Sequence, residues 1–510
     1  MMSIDQVLKL GALVAGGWLL GSGCRSTVLN ADHCAVNDGD AHCLEMFPDG
    51  SRPFCRRGTE SCVLDEGING CVFERPADEC YSPCGGRENI IDNGECVMGE
   101  ESTSGSTSEG MTGESGSTTE GSSTTGPMPC SGNEDCMDAA APFCNPTTEE
   151  CVSCQEMDDP DGACAELDAS NPLCVGGVCV ACTPENPIVC DDQRLLCDSD
   201  TNACVPCTEH DQCTSGACEL AVGLCFPEDF VVHVDGDGGA DYTSIVAAVN
   251  AVDDGTYGVI IVHELTGGVS YQAAGGLIVD GAKIIALLAA PSEAPIIQGT
   301  GMNPGLRAQD AGTVLYVDGL TLSNGAAQGL VVDEAFTWAD RSRIVGNDGG
   351  GIVAQNASEL TLRNCFVGGD VNDINALEAI GANVTALYST VGGGFGSATA
   401  LTCDVGSSVA VRNSLLVART DGDELACPPA TVERTAAEMD LGGTNTVVGP
   451  MDTLWFVGYG TGAFSLSAMA PASISTAARW MAGDPATDID GDPRPTTDGA
   501  MDYAGADAVP

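Results

Sequence analysis

The stretch ELTLRNCFVGG, residues 359–369, decides how the second half of the chain is read. It is a short β-like run that breaks at a polar turn and resumes. Its neighbours repeat it: TVLYVDGLTLSNG (313–325), RSRIVGNDGG (341–350), NVTALYSTVGGG (383–394) and SVAVRNSLLVAR (408–419). Aligned on one another, these runs put Asp318, Arg341, Asn364, Ser389 and Asn413 in one slot, at separations of 23, 23, 25 and 24 residues. The next slot holds only small residues: Gly319, Ser342, Cys365, Thr390 and Ser414. Long amphipathic helical patterns are scarce here. A coil of 22 to 25 residues that stacks small and polar side chains at one turn is what a parallel β-helix needs. Each coil then rises by one strand spacing, about 4.8 Å. Cys403 and Cys427 stand 24 residues apart, one coil, and are expected to face each other as a disulfide. Cys365, in the small-residue slot, reads as a buried structural thiol rather than a nucleophile, because no histidine of this region lies near it in coil position.

Upstream of Phe230 the composition changes. Of 28 cysteines, eight lie between Cys34 and Cys96 and sixteen between Cys130 and Cys225. The sixteen divide into four units: Cys130, Cys136, Cys144, Cys151; Cys154, Cys164, Cys174, Cys179; Cys182, Cys190, Cys197, Cys204; Cys207, Cys213, Cys218, Cys225. The unit starts are 24, 28 and 25 residues apart, and each junction reads C-V-x-C. A C-x-x-C pair can hold zinc, exchange electrons or join two disulfide loops. A zinc ribbon would carry no further thiols between its pairs. A redox pair would open a helix in a βαβ context. Two more cysteines intervene each time, in loops rich in Asp, Asn, Pro and Gly, so the units read as disulfide modules whose internal pairing is open. Each is too small to bury a core of its own and would rely on its bridges, about 2–4 kcal/mol apiece. Arrays of this kind act as stalks, spacers or binding modules.

The sequence therefore divides into residues 1–24, a cysteine-rich module over 25–98, a Ser/Thr/Gly/Glu linker over 99–129 expected to be disordered, the four cysteine repeats over 130–228, and the β-helix over 229–510. In the first segment Lys9 precedes an apolar run, Leu10–Leu20, too short to span a bilayer, so it reads as a signal peptide. The formal charge is −56, and only Lys9 and Lys283 are lysines. With no basic patch to neutralise phosphates, nucleic-acid binding is excluded. The plain reading of so acidic a surface is adaptation to salt. The sharper one is calcium binding.

Two resemblances add to this reading. The N-terminal segment resembles a bacterial lipoprotein signal, whose lipobox ends in the acylated cysteine. That implies lipidation of Cys24, and Arg25 after it implies sorting to the outer membrane. Gly21 stands where the family has Leu, and Gly21 and Gly23 also suit an ordinary signal peptidase, which leaves plain secretion as the alternative. Residues 229–507 resemble the right-handed parallel β-helix proteins of the pectin-lyase-like superfamily. FVVHVDGDGGADYTSIVAAVNAV (230–252) looks like their first strand and capping helix, and DIDGDPRPTTDGAMDYAGAD (488–507) like the D-x-D-G-x-x-R and D-x-G-A closing motif of bacterial surface proteins.

Many such proteins cleave acidic polysaccharides, but the Arg-x-Lys, W-I-D-H and R-x-P-x-x-R strings of those enzymes are absent. The catalytic candidates that remain are Asp348 and Asp370, 22 residues apart, which would stack about 5 Å from each other as a carboxylate pair or calcium site. Their plainer reading, with Asp373, is as solvated turns. Asp488, Asp490 and Asp492 have the alternating spacing of a calcium loop, as do Asp235, Asp237 and Asp241. Arg341, Arg363 and Arg412 are expected to pair with acidic neighbours rather than bind a polyanion. The sequence thus predicts an exported, lipid-anchored surface protein presenting a β-helix for adhesion or for binding an extracellular polysaccharide or surface protein. No cofactor is expected, with calcium as the one candidate. The alternatives are a divergent polysaccharide lyase or glycoside hydrolase and, more weakly, a buffer of divalent cations.

Overall fold

The computed structural model describes residues 130–509 except 137, 139, 274, 369–372, 420, 421 and 429. Before residue 130 it describes only Cys43 and four short strands, Phe54–Cys55, Cys71–Val72, Ile91–Asp92 and Glu95–Cys96. Those strands form two antiparallel pairs, and Cys43 and Cys55 are buried and disulfide-bonded. The expected signal segment with Cys24, the expected linker and the rest of the first cysteine module lie outside the described residues.

Each of the four units is built on a small antiparallel hairpin that sets its third and fourth cysteines opposite each other: Cys144 and Cys151, Cys174 and Cys179, Cys197 and Cys204, Cys218 and Cys225. Cross-strand partners project from the same face of a hairpin. There they meet the sulfurs of the first and second cysteines. The pairing is first to third and second to fourth in every unit: Cys130–Cys144 and Cys136–Cys151, Cys154–Cys174 and Cys164–Cys179, Cys182–Cys197 and Cys190–Cys204, Cys207–Cys218 and Cys213–Cys225. In the second unit the intervening loop folds into a helix, Pro160–Leu167, whose N-terminus is capped by Asp159 accepting from the Gly162 N–H.

From Val231 the chain winds into a parallel β-solenoid of about eight turns. Three sheets line it. Sheet 1 has nine strands, from Val231–Val234 to Thr431–Glu433; sheet 2 has nine, from Ser270–Ala273 to Thr446–Val447; sheet 3 has seven, from Ile278–Val279 to Leu425–Ala426. Every strand pairs in parallel with the equivalent strand of the adjoining coil. Alternate residues point inward and stack in columns such as Leu287, Val317, Ala339, Leu362, Ala386 and Val411, all buried. The N-terminal end is closed by the helix Ile245–Ala251, capped by Ser244, which buries Ile245, Ala248 and Val249 against Val234, Ile260 and Leu277. Cys403 and Cys427 are bonded across adjoining coils.

The coil alignment read from sequence needs a correction at two points. Asp318 pairs with Asp340, not with Arg341, and Thr390 pairs with Phe366, so Ser389 is the partner of Cys365. The coils differ in length by one or two residues, and a slip of one moves a side chain to the next slot. The true corner between sheets 1 and 2 is Gly319, Arg341, Asn364, Tyr388, Asn413 and Arg434, all with positive φ, from 42° to 70°. This left-handed residue turns the next side chain into the interior. There Ser342, Cys365, Ser389, Ser414 and Thr435 stack with no exposure. Ser389 Oγ donates to the Leu387 carbonyl and accepts the Cys365 N–H; Ser414 Oγ donates to Arg412 and accepts Ser389; Thr435 Oγ1 donates to Glu433 and accepts Ser414. The small-polar preference of this slot is hydrogen-bond satisfaction inside an apolar stack.

Two coverings lie on the solenoid. The fourth cysteine unit packs on the outer face of sheet 1, with Ala217 and Phe226 against Val259, Ala286, Leu288 and Tyr316. Phe226 meets Tyr257 and Tyr316 edge-on, each at 5.7 Å between centroids. Arg194 of the third unit lies over the Tyr257 ring at 4.7 Å and pairs with Glu219. A spacer reading treats the array as separate from the solenoid; its last unit is instead fused to it by a shared apolar core. The second covering is the C-terminal segment, residues 448–509, which folds back over the outer face of sheet 2.

Candidate functional site

The outward columns of sheet 2 explain how the C-terminal segment sits. One column runs Val345, Gly368, Gly392, Val417 and the other Arg343, Phe366, Thr390, Leu415. At Gly392 a Cβ would stand 2.5 Å from the Phe464 ring, so only glycine lets that ring lie on the sheet. Phe464 is fully buried among Phe366, Phe456 and Tyr459, with centroids 5.8, 5.5 and 5.2 Å away. The Tyr459 hydroxyl donates to the Gly393 carbonyl at 2.7 Å, and burial pushes its ionisation up.

Toward earlier coils the same segment stands off the sheet and a groove of 470 Å³ opens. Its floor is Thr321, Ser323, Arg343, Val345 and Phe366; its other wall is the turn Gly460–Ala463 with Ser465; Asn324 and Gly346 form its corner. The size suits a small ligand or one or two sugar units. The lining mixes hydroxyls, an amide, backbone and one guanidinium with the apolar Val345, Phe366 and Ala463. Arg343 lies 5.5 Å over the Phe366 ring and pairs with Asp490 at 2.5 Å, both side chains part-exposed. Asp490 also receives the Ser465 hydroxyl at 3.5 Å.

Two carboxylates of the closing motif's acidic triad, Asp488 and Asp490, have partners within the chain. Asp488, buried, accepts the N–H groups of Asp490 and Asp492 on one oxygen and that of Ala508 on the other. Asp490 reaches the groove. Arg494 of the same motif is buried against Asp502, the Gly505 carbonyl and Asn364, and lies over the Tyr388 ring at 4.0 Å. Beside it, burial pushes the Asp507 carboxyl up to about 7, although it accepts the Leu466 N–H. In the other acidic loop Asp235 accepts Asp237 N–H, Asp237 accepts Thr266 N–H and Asp241 accepts His233 N–H. Among the described residues, the groups of three or more ligand atoms within 4.8 Å of one another are all cysteines, and these are bonded in pairs.

Asp348 is exposed in the corner after Val345, its N–H donating to Gly325. Its proposed partner Asp370 lies outside the described residues. Asp373 receives the Ser397 hydroxyl. Arg341 pairs with Asp318, Arg363 with Asp340 and Glu209, and Arg412 with Asp484. Cys365 is a free, buried thiol that donates to the carbonyls of Ala339 and Arg363, and burial pushes its ionisation far up.

The groove was not foreseen in the sequence, because its second wall, residues 460–465, comes from far downstream of its floor, residues 321–366. The available signal was the aromatic run LWFVGYGTGAF (454–464), which fits no coil and must pack somewhere. The model of a family of unknown function (DUF8331) matches residues 114–231, a span that takes in the four cysteine units and ends at the first solenoid strand. No curated protein matches the chain. Among the described residues no helix is long and apolar enough to cross a membrane.

Proposed function

We propose that this is an exported cell-surface protein, held at the outer membrane through a lipid on Cys24, whose solenoid binds an extracellular acidic polysaccharide in the sheet 2 groove. The observation that carries the reading is the lining of that groove: hydroxyl and amide groups that suit sugar hydroxyls, and Arg343, whose part-exposed pair with Asp490 a uronate carboxylate would exchange for its own. The groove lining carries no pair of carboxylates, the catalytic unit of glycoside hydrolases, which fits binding better than hydrolysis.

The test is retention of the mature protein in gels cast with acidic or neutral polysaccharides, with and without calcium. Retention by one acidic polymer that is lost in Arg343→Ala supports the reading. Equal retention of wild type and variant removes the groove from it. Release of new reducing ends, or of unsaturated uronate seen by its ultraviolet absorbance, would replace binding with lyase or hydrolase activity. Labelling with a radioactive fatty acid, lost in Cys24→Ser, tests the anchor separately.

A further inference from the structure

Histidine is sparse in this chain, five residues in 510, yet two of them touch. His233 lies on the first strand of sheet 1, and His263 directly follows the strand paired to it, on the same outward face. Nδ1 of His233 is 3.0 Å from Nε2 of His263, and the rings stack at 25° with centroids 5.2 Å apart. The other nitrogen of His263, Nδ1, is 3.1 Å from Oε1 of Glu293. Glu293 is itself fixed, because its Oε2 accepts the Glu264 N–H at 2.5 Å. The Glu293 carboxylate so held takes the Nδ1–H of His263 as donor and leaves the Nε2 lone pair facing His233. A carboxylate that orients a histidine in this way is the usual outer support of a metal-binding imidazole.

We propose that His233 and His263 form a surface binding site for a divalent transition metal of tetragonal preference, copper(II) above all, with Glu293 as the positioning residue. Two nitrogens 3.0 Å apart, each about 2.0–2.1 Å from one ion, subtend roughly 90–97° at it. That is the cis angle of a tetragonal copper or nickel site and is narrower than a tetrahedral zinc site prefers. With Nε2 of His263 as acceptor, the single ring proton of a neutral His233 lies on Nδ1 between the two nitrogens. On metal binding that proton moves through water to Nε2 of His233, which frees the Nδ1 lone pair for the ion with no net change in protons. Both rings are at least part-exposed, so water fills the remaining positions. The site lies outside the groove and does not depend on the polysaccharide reading.

The experiment titrates the full chain with copper(II) in the presence of excess magnesium, which occupies surface carboxylates, and reads binding by calorimetry and electron paramagnetic resonance. The expected result is a copper signal with hyperfine splitting from two imidazole nitrogens that vanishes in His233→Ala and in His263→Ala. Glu293→Gln is expected to weaken binding by roughly 10–100-fold while keeping the two-nitrogen signature. His233 is exposed, so its variant should unfold in urea like the wild type, separating loss of metal from loss of fold. A signal that survives in both alanine variants, or no copper binding by the wild type, overturns the proposal.

Discussion

Replacing Phe464 by alanine should release the C-terminal segment from sheet 2 without unwinding the solenoid. Phe464 has no exposure and is gripped by three aromatic rings and the bare backbone of Gly392. Truncating a buried phenylalanine costs about 3–5 kcal/mol, least where neighbours collapse into the hole. Here the floor is a hydrogen-bonded parallel sheet that cannot move inward, so about 4 kcal/mol is the working figure. The loss falls on a segment whose other anchors include Tyr459 on Gly393, the Arg494 cluster and the pairs Arg412–Asp484 and Arg343–Asp490. At about 1.4 kcal/mol per decade, opening of the segment becomes roughly a thousand-fold more frequent. Native-state hydrogen exchange at Phe464 and Leu466 should lose about three decades of protection, and protease should cut near residues 453–466 before the coils. Retention on any groove ligand should fall with it. Phe464→Leu should recover most of the protection. Loss of less than one decade at these amides, or equal loss in the sheet 1 strands, would refute the view of this segment as a separately held covering.

Other perturbations test the remaining structure. Arg494→Met leaves Asp502 buried without its partner and should destabilise the protein by about 3–5 kcal/mol in urea unfolding, part of it regained when Asp502→Asn is added. His210, in the fourth unit, is buried; Nδ1 accepts the Cys218 N–H and Nε2 has no partner. Burial holds its ionisation below the ordinary value against the pull of Asp318 and Asp340, so the unfolded chain takes up the proton first. Stability should fall as the pH drops below about 6.5, by at most about 1.4 kcal/mol per unit, and His210→Gln should remove that slope. Asp507 acts in the opposite sense. Its folded carboxyl titrates at about 7 and its unfolded one at about 3.9, so stability should fall as the pH rises between those values. Urea midpoints of Asp507→Asn should be flatter over that window than those of the wild type.

Much of the fold was legible because it is repetitive. The coil period, the parallel stacking and the inward small-residue slot all follow from local rules that each coil obeys separately. The same holds for the cysteine units, whose even counts and fixed junctions require closure within each unit. What could not be read locally was register to the single residue. Gly319 and Tyr388 occupy the same left-handed corner although one has no side chain and the other a large buried ring, and no composition rule aligns them. The candidate site was less legible still. Arg343 looks like one more coil residue until the turn at Gly460 arrives opposite it, and nothing in the spacing of Asp490 tells that it meets Arg343.

The position of the groove follows from where the glycines of sheet 2 stop. The column Val345, Gly368, Gly392, Val417 is bare backbone at its centre, and there the C-terminal segment lies flat, with the Phe464 ring on Gly392. At Val345 the side chain returns. Gly462 comes so close to it that an added Cβ would stand 2.2 Å from the valine Cβ, so the turn can approach no further. Beyond that contact the sheet presents Arg343, Thr321 and Ser323, which hold the segment off and line the space left. The step from Gly368 to Val345 thus coincides with the change from a sealed interface to a cleft of mixed polar and apolar lining. The charged pair at its rim joins a coil residue to the closing motif, so the motif that ends the fold also completes the site.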